Sequence, residues 1–213
     1  MVNLGIAYGG LGDFQKEKEL LEWALAIQEK HYGPDHFEVV RTLMNLGNAY
    51  YDLGNPQKTK ELLERALPIF KKYYRPDHFQ VAITLTDLGV TYSALGDFQK
   101  AKELLERVLP IFEKHHDPDH FQVAIILENL GNVYEDLGDH KKKKESLERA
   151  LLIQEKHYGL DYFQVTITLR NLGNAYGNLG GHKKKKESLE QALPIFKKHY
   201  GSDHCKVVKL LVT

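Results

Sequence analysis

His115, His116, Asp117, Asp119 and His120 crowd three imidazoles and two carboxylates into one short stretch, the densest group of metal-ligand types in the 213-residue chain. A metal site needs ligands that converge in fixed geometry, often four apart on one helix. The distribution of the histidines argues for something else. His36, His78, His120 and His204 stand at one phase of a 42-residue spacing, and His31, His115, His157 and His199 at another. Repetition accounts for them as linker and helix-end residues, so no metal is expected. Cys205 follows His204, but a thiol–imidazole pair without a placed third group is weak evidence for a nucleophile. As the single cysteine it forms no internal disulfide. Gly9-Gly10-Leu11-Gly12 resembles a phosphate loop only superficially, because its register makes it a turn between helices. No Gly-x-Ser-x-Gly elbow, Walker loop or His-Glu-x-x-His motif occurs. The expectation is a protein that is not an enzyme and carries no cofactor.

Two lysine runs remain, Lys141 to Lys144 and Lys183 to Lys186. Stacked by a repeat, they would form one phosphate-binding patch. No aromatic platform for bases interleaves with them. Glu145 and Glu187 follow each run, and a solvated helix start is the plainer reading. Basic and acidic residues balance at 29 each, which argues against a dedicated nucleic-acid or membrane-surface protein. The N-terminus has no signal-peptide pattern, and no apolar window is long enough to span a bilayer. A soluble, reducing, cytoplasmic setting is expected.

The elements that position these residues recur every 42 residues. Leu4-Gly5, Leu46-Gly47, Leu88-Gly89, Leu130-Gly131 and Leu172-Gly173 keep that spacing, as do Tyr8, Tyr50, Tyr92, Tyr134 and Tyr176. Gly12, Gly54, Gly96, Gly138 and Gly180 follow the same period, which marks a stacked-repeat protein. In the type unit, residues 35–76, Asp35 reads as an N-cap with Glu38 completing a capping box. Asp77 with Gln80, Asp119 with Gln122 and Asp161 with Gln164 repeat it. Helix A runs to about Asp52 with Val39, Leu43, Leu46, Tyr50 and Leu53 at helical spacing. Gly47 inside it suggests that another helix passes close. Gly54 and Asn55 turn the chain. Helix B covers about Pro56 to Tyr73, with Leu63, Ala66, Leu67, Phe70 and Tyr73 as its buried stripe. Pro68, Pro110 and Pro194 predict a bend in three of the five B helices.

Leu-Gly, Ala-Tyr, the glycine turn and the Ala-Leu of a second helix resemble the tetratricopeptide repeat (TPR). The 42-residue period and Gly-Pro-Asp-His linker look most like the kinesin-light-chain and nephrocystin-like variant. The resemblance implies an all-α superhelix, a TPR solenoid of about five antiparallel helix pairs with its first and last helices truncated. The units are about 1–34, 35–76, 77–118, 119–160 and 161–202, with a half helix at 203–213, forming one array. The family's small residue early in helix B is Ala101 in the third unit, but Glu17, Thr59, Lys143 and Lys185 elsewhere. A lysine there should send its ammonium to water and loosen the fourth and fifth pairs.

The resemblance also implies a non-catalytic scaffold or adaptor that binds a protein or peptide segment along a concave groove lined by the A helices. Its groove positions are Arg41, Met44, Asn48, Tyr51 and Asp52 in the second unit, and Ile83, Thr86, Val90, Ser93 and Ala94 in the third. The fourth gives Ile125, Glu128, Asn132, Glu135 and Asp136. The fifth gives Ile167, Arg170, Asn174, Gly177 and Asn178. Each asparagine amide can both donate to and accept from a peptide backbone. Asp52, Glu128, Glu135 and Asp136 favour a ligand with apolar residues and one or two basic groups. Arg170 with Asn174 matches part of a carboxylate clamp whose other basic members are absent. Both termini align with mid-helix A, which reads either as a piece of a longer array or as open ends that self-associate head to tail. Trp23, in a slot otherwise held by Arg65, Arg107, Arg149 and Gln191, is expected to be exposed, as an interface anchor or as cover for the first unit's unpaired face.

Overall fold

Four of the turns from an A helix to its B helix close one helix and open the next with the same device, a glycine followed by Asp or Asn; the fifth, at Gly181, has no side-chain cap. At the first complete example, the Gly54 amide donates to the Tyr51 carbonyl and the Asn55 amide to that of Tyr50, at 2.9 and 2.8 Å. This is the Schellman pattern, and it needs the positive φ of Gly54, 75°. The Asn55 side chain then accepts from the Lys58 amide at 3.1 Å and caps the following helix. Asp13, Asp97 and Asp139 do the same.

The computed structural model describes residues 1–115, 117–159 and 162–201, with His204 and Val207. Among them are ten α-helices and no strand: α1 (Val2–Gly10), α2 (Phe14–Tyr32), α3 (Phe37–Asp52), α4 (Pro56–Tyr73), α5 (Phe79–Ala94), α6 (Phe98–His115), α7 (Phe121–Asp136), α8 (His140–Tyr158), α9 (Phe163–Asn178) and α10 (His182–Tyr200). Turns this short make each A helix antiparallel to its B helix. The chain forms two compact units, 1–111 and 112–213, with the boundary inside α6. In the first, α1 packs on α2, α2 on α3, α3 on α4 and α4 on α5; in the second, α7 packs on α8, α8 on α9 and α9 on α10.

The starts of the A helices depart from the sequence expectation. Asp35 and Asp77 do not cap. The helices begin one residue later, and Nδ1 of His36, His78 and His120 accepts from the amides of Glu38, Gln80 and Gln122 at 3.2, 3.1 and 3.3 Å. An imidazole nitrogen two residues back reaches the same orphan amide as an aspartate oxygen would. Asp119 instead pairs with Lys156 Nζ at 2.6 Å. Asp161 lies outside the described residues, as do His116, Cys205 and most of the half helix. Tyr74 stacks on His78 at 3.9 Å, Tyr158 on Tyr162 at 4.4 Å and Tyr200 on His204 at 4.9 Å. The phased histidines are therefore helix-end residues. No group of three His, Cys, Asp or Glu side chains among the described residues is placed to hold a metal, and no helix there is long and apolar enough to cross a membrane.

The recurring phase of the Leu-Gly pair has a packing cause. A Cβ on Gly89 would meet Leu105 Cγ at 2.9 Å, one on Gly131 would meet Leu147 Cδ2 at 3.0 Å, and one on Gly47 would meet Leu63 at 3.5 Å. Helix B thus lays a leucine onto the glycine of helix A. The distances predict opposite outcomes for one substitution. Gly47→Ala has room and gains helix propensity, about 0.5–1 kcal/mol. Gly89→Ala forces Leu105 off its seat and costs about 1–2 kcal/mol net. Urea unfolding of the two variants measures both signs.

The core stripe of α4 is Leu62, Leu63, Ala66, Ile69 and Phe70, all buried. Tyr73, expected in it, is exposed instead; at the last turn of α4 it touches the pair only by an edge-on contact with the Phe37 ring at 5.1 Å. Leu53, at the other helix end, is also exposed. α4, α6 and α10 run unbroken through Pro68, Pro110 and Pro194. Each proline stands on the exposed face, where water serves the carbonyl it leaves unbonded. The second unit buries Val165, Leu169, Ala192, Phe196 and Val207 together.

Lys143 corrects another expectation. It is 5% exposed, and its Nζ lies 2.8 Å from Glu135 Oε2 rather than reaching water. The fourth pair is no looser for it, since Leu147 sits closer to Gly131 than Leu63 does to Gly47. In the fifth pair a Cβ on Gly173 would meet Leu189 at 3.4 Å, wider than the 2.9 Å at Gly89 of the third pair, whose helix B carries Ala101. The sequence compensates across the pair. Where helix B carries a long residue, Glu17 or Lys185, the facing residue of helix A is Gly9 or Gly177, and a Cβ at Gly177 would meet Lys185 Cδ at 2.8 Å. Where the long residue is Lys143, the facing residue is its counter-ion.

Candidate binding clefts

One face of an A helix, one end of its B helix and the start of the next A helix enclose a cleft in each unit. In the first unit, Phe37, Arg41, Met44, Asn45 and Asn48 come from α3, at the spacing that keeps residues on one side of a helix. Phe70 and Tyr74 come from the end of α4, and Gln80, Ile83 and Asp87 from α5, around a volume of about 640 Å³. In the second unit the cleft of about 440 Å³ is lined by Phe121, Ile125, Glu128, Asn129 and Asn132 of α7, Gln154 and Tyr158 of α8, Tyr162, and Gln164, Ile167 and Asn171 of α9. Nearly every position is the first cleft's shifted by two periods.

The same slots carry different chemistry. Phe70 and Met44 make the first floor apolar, and the Thr84 hydroxyl turns to the Met44 sulfur at 3.7 Å. In the second cleft these slots hold Gln154 and Glu128, and Thr168 Oγ1 sits between Glu128 Oε1 at 2.6 Å and Gln154 Oε1 at 2.8 Å. The second cleft also places the stacked Tyr158–Tyr162 pair where the first has Tyr74 stacked on His78. Asp87 and Glu38 are the acidic members of the first cleft, Glu38 exposed and Asp87 half-buried. Asp87 stands where the other repeats have Asn3, Asn45, Asn129 and Asn171, and burial pushes its carboxyl up to about 6.

Of the residues named from the sequence, Arg41, Met44, Asn48, Ile83, Glu128, Asn132, Ile125 and Ile167 line the clefts. Others lie elsewhere. Tyr51 and Asp52 are exposed at the end of α3, and the Asp52 charge adds to burial in raising the Glu17 carboxyl. Thr86 bonds the Ala82 carbonyl at 2.9 Å, and Val90 is half-buried. Glu135 is taken by Lys143 and by His140 at 3.1 Å, and Asn178 approaches the same carboxylate at 3.4 Å. Arg170 donates to Asn171 at 3.3 Å, and Asn174 is half-buried beyond the cleft. The sequence reading missed Asp87 and the Asn45, Asn129 and Asn171 series. Their signal was present, one residue before each Leu-Gly pair. The lysine runs are partly committed: Lys142 lies 5.3 Å over the Tyr134 ring, Lys184 5.1 Å over that of Tyr176, and Lys143 is buried.

A family model described as tetratricopeptide repeat matches residues 38–114 and 122–198, and a second of the same description matches residues 1–38. The chain belongs to the tetratricopeptide-repeat family. A kinesin-light-chain candidate of Podosopora anserina with nearly identical TPR-like repeats is 30% identical over 92% of this chain and 93% of that one, with a TM-score of 0.77. BtubC of P. vanneervenii is 25% identical, covering 93% of this chain and 79% of its own, with a TM-score of 0.78. The apo form of RapI shares the fold at 18% identity and a TM-score of 0.79, over 93% of this chain and 69% of its own. No curated protein sequence matches the chain. As a TPR protein, the chain is an all-α scaffold of the protein-interaction class.

Proposed function

We propose that this TPR chain is a non-catalytic adaptor, at home in the cytoplasm, that holds a peptide segment of a partner protein against its A helices. The observation that carries this is the pair of equivalent clefts, each open to solvent and each edged by asparagine amides. A rigid, prebuilt cleft spares the ligand site an ordering cost. Asn48 and Asn132, both exposed, serve as two-way hydrogen-bond partners for an extended backbone. The test uses a peptide selected from a random phage-displayed library on the intact chain. Asn48→Ala with Asn132→Ala should weaken it about tenfold, with an unchanged helical circular-dichroism signal. Asn174→Ala, outside the clefts, should leave it alone. Unaltered affinity in the double variant removes the clefts as the binding site.

A second reading, head-to-tail self-association, rests on the first helix pair. Leu4 is 53% exposed while Leu46, its equivalent, is 2% exposed, and Met1 and Ala7 differ from Leu43 and Ala49 in the same way. Trp23 is 59% exposed. Its slot reaches the preceding B helix elsewhere, as Arg65 does to Glu29 and Arg149 to Glu113. The covering partner would be a B helix of a second copy. Light scattering over a concentration series decides this: a strict monomer at high concentration excludes it.

A further inference from the structure

We propose that both clefts are pockets for the basic side chain of the bound segment, with Asp87 receiving it in the first and Glu128 in the second. This rests on the peptide-adaptor reading and specifies its ligand.

In each cleft one half-buried acid stands against aromatic and aliphatic walls, and in each it occupies a different slot. Asp87 replaces the asparagine of every other repeat; Glu128 replaces Met44. The first cleft carries Glu38, Arg41 and Asp87, one net negative charge, with Arg41 exposed at the rim. Glu128 is the one charged residue lining the second. Neither acid is neutralised by a cation of its own cleft at ion-pair distance: among the described residues the ion pairs involve other carboxylates. Asp87, half-buried without a counter-ion, carries a cost that folding alone does not explain, and Glu128 has the Thr168 hydroxyl at 2.6 Å but no cation beside it. An arriving ammonium or guanidinium supplies that counter-ion. Its methylene stem fits the apolar walls, Phe37, Met44 and Ile83 in one cleft and Ile125 and Ile167 in the other. The Tyr158–Tyr162 stack adds ring faces that attract a cation. An acidic segment would set like charges together in both clefts.

The test is a degenerate peptide library on the intact chain, with one position fixed in turn as Lys, Arg, Glu or norleucine. Lys and Arg libraries should bind about tenfold more tightly than the norleucine library and the Glu library least. Asp87→Asn and Glu128→Gln should each reduce that preference, and the double variant should abolish it. Equal binding of all four libraries, or preference surviving in the double variant, overturns the basic-pocket assignment and leaves the adaptor reading standing. No binding of any library overturns both.

Discussion

Glu135→Ala should unfold at a temperature roughly 5–12 °C below the parent, a loss of roughly 2–4 kcal/mol. The cause is the partner left behind. Lys143 is buried against helix α7, and its ammonium has Glu135 Oε2 at 2.8 Å. The Glu135 carboxyl titrates low although burial pulls it up, because Lys143 and His140 hold its charged form. Removing it strands a cation inside the pair. The loss falls at the lower side of the range for breaking a buried pair because Glu135 itself is 38% exposed. The reverse change should be mild. Lys143→Ala leaves a partly hydrated carboxylate with His140 still beside it, and costs within about 1 kcal/mol. The third pair already uses Ser93 opposite Ala101, so Glu135→Ser with Lys143→Ala should recover most of the single variant's loss. Thermal unfolding of the three proteins measures this asymmetry. Equal losses in both single variants would show that the pair is not where the energy lies.

Asp87→Asn should stabilise the chain by roughly 2–3 kcal/mol near neutral pH. Burial pushes the Asp87 carboxyl from its ordinary 3.8 up to about 6. The folded state therefore holds this proton more tightly than the unfolded one. Stability from this site is complete below the unfolded value, is lost as pH rises between about 4 and about 6, and stays lost above. The charged groups around it in the cleft are Glu38 and Arg41. Asparagine, the residue of the other four repeats, has no charge to bury. Urea unfolding at pH 7 should show the gain, and at about pH 4 the variant and parent should converge. A gain that persists unchanged in acid would contradict a burial cost. A residue that costs stability where its repeat equivalents do not is a signature of use.

The repeat made most of the fold readable. Period, helix pairing, the Leu-Gly contact and the glycine turns all follow from residues that recur in register, and repetition averages away local accident. What repetition hid was what differs. The A-helix caps went to His36, His78 and His120 because helix starts shift by one residue without changing the pattern, and an imidazole is a rare cap. Lys143 read as an exposed lysine because its counter-ion lies eight residues away on the facing helix, in no local motif. The clefts were half legible. Residues at 41, 44 and 48 share a face by helical geometry alone, whereas Phe70, Gln154 and Tyr158 join it only once helix B returns. Asp87 was visible as a deviation from asparagine, yet its meaning depends on burial that spacing does not encode.

The most direct measurement is nuclear magnetic resonance of the intact chain titrated with the library-selected peptide, following side-chain amide resonances. The predicted result is that Asn45, Asn48, Asn129 and Asn132 shift as peptide is added, while Asn174 and Asn178 hold their positions. Shifts confined to residues outside the two clefts, with those four amides unmoved at saturation, would contradict it.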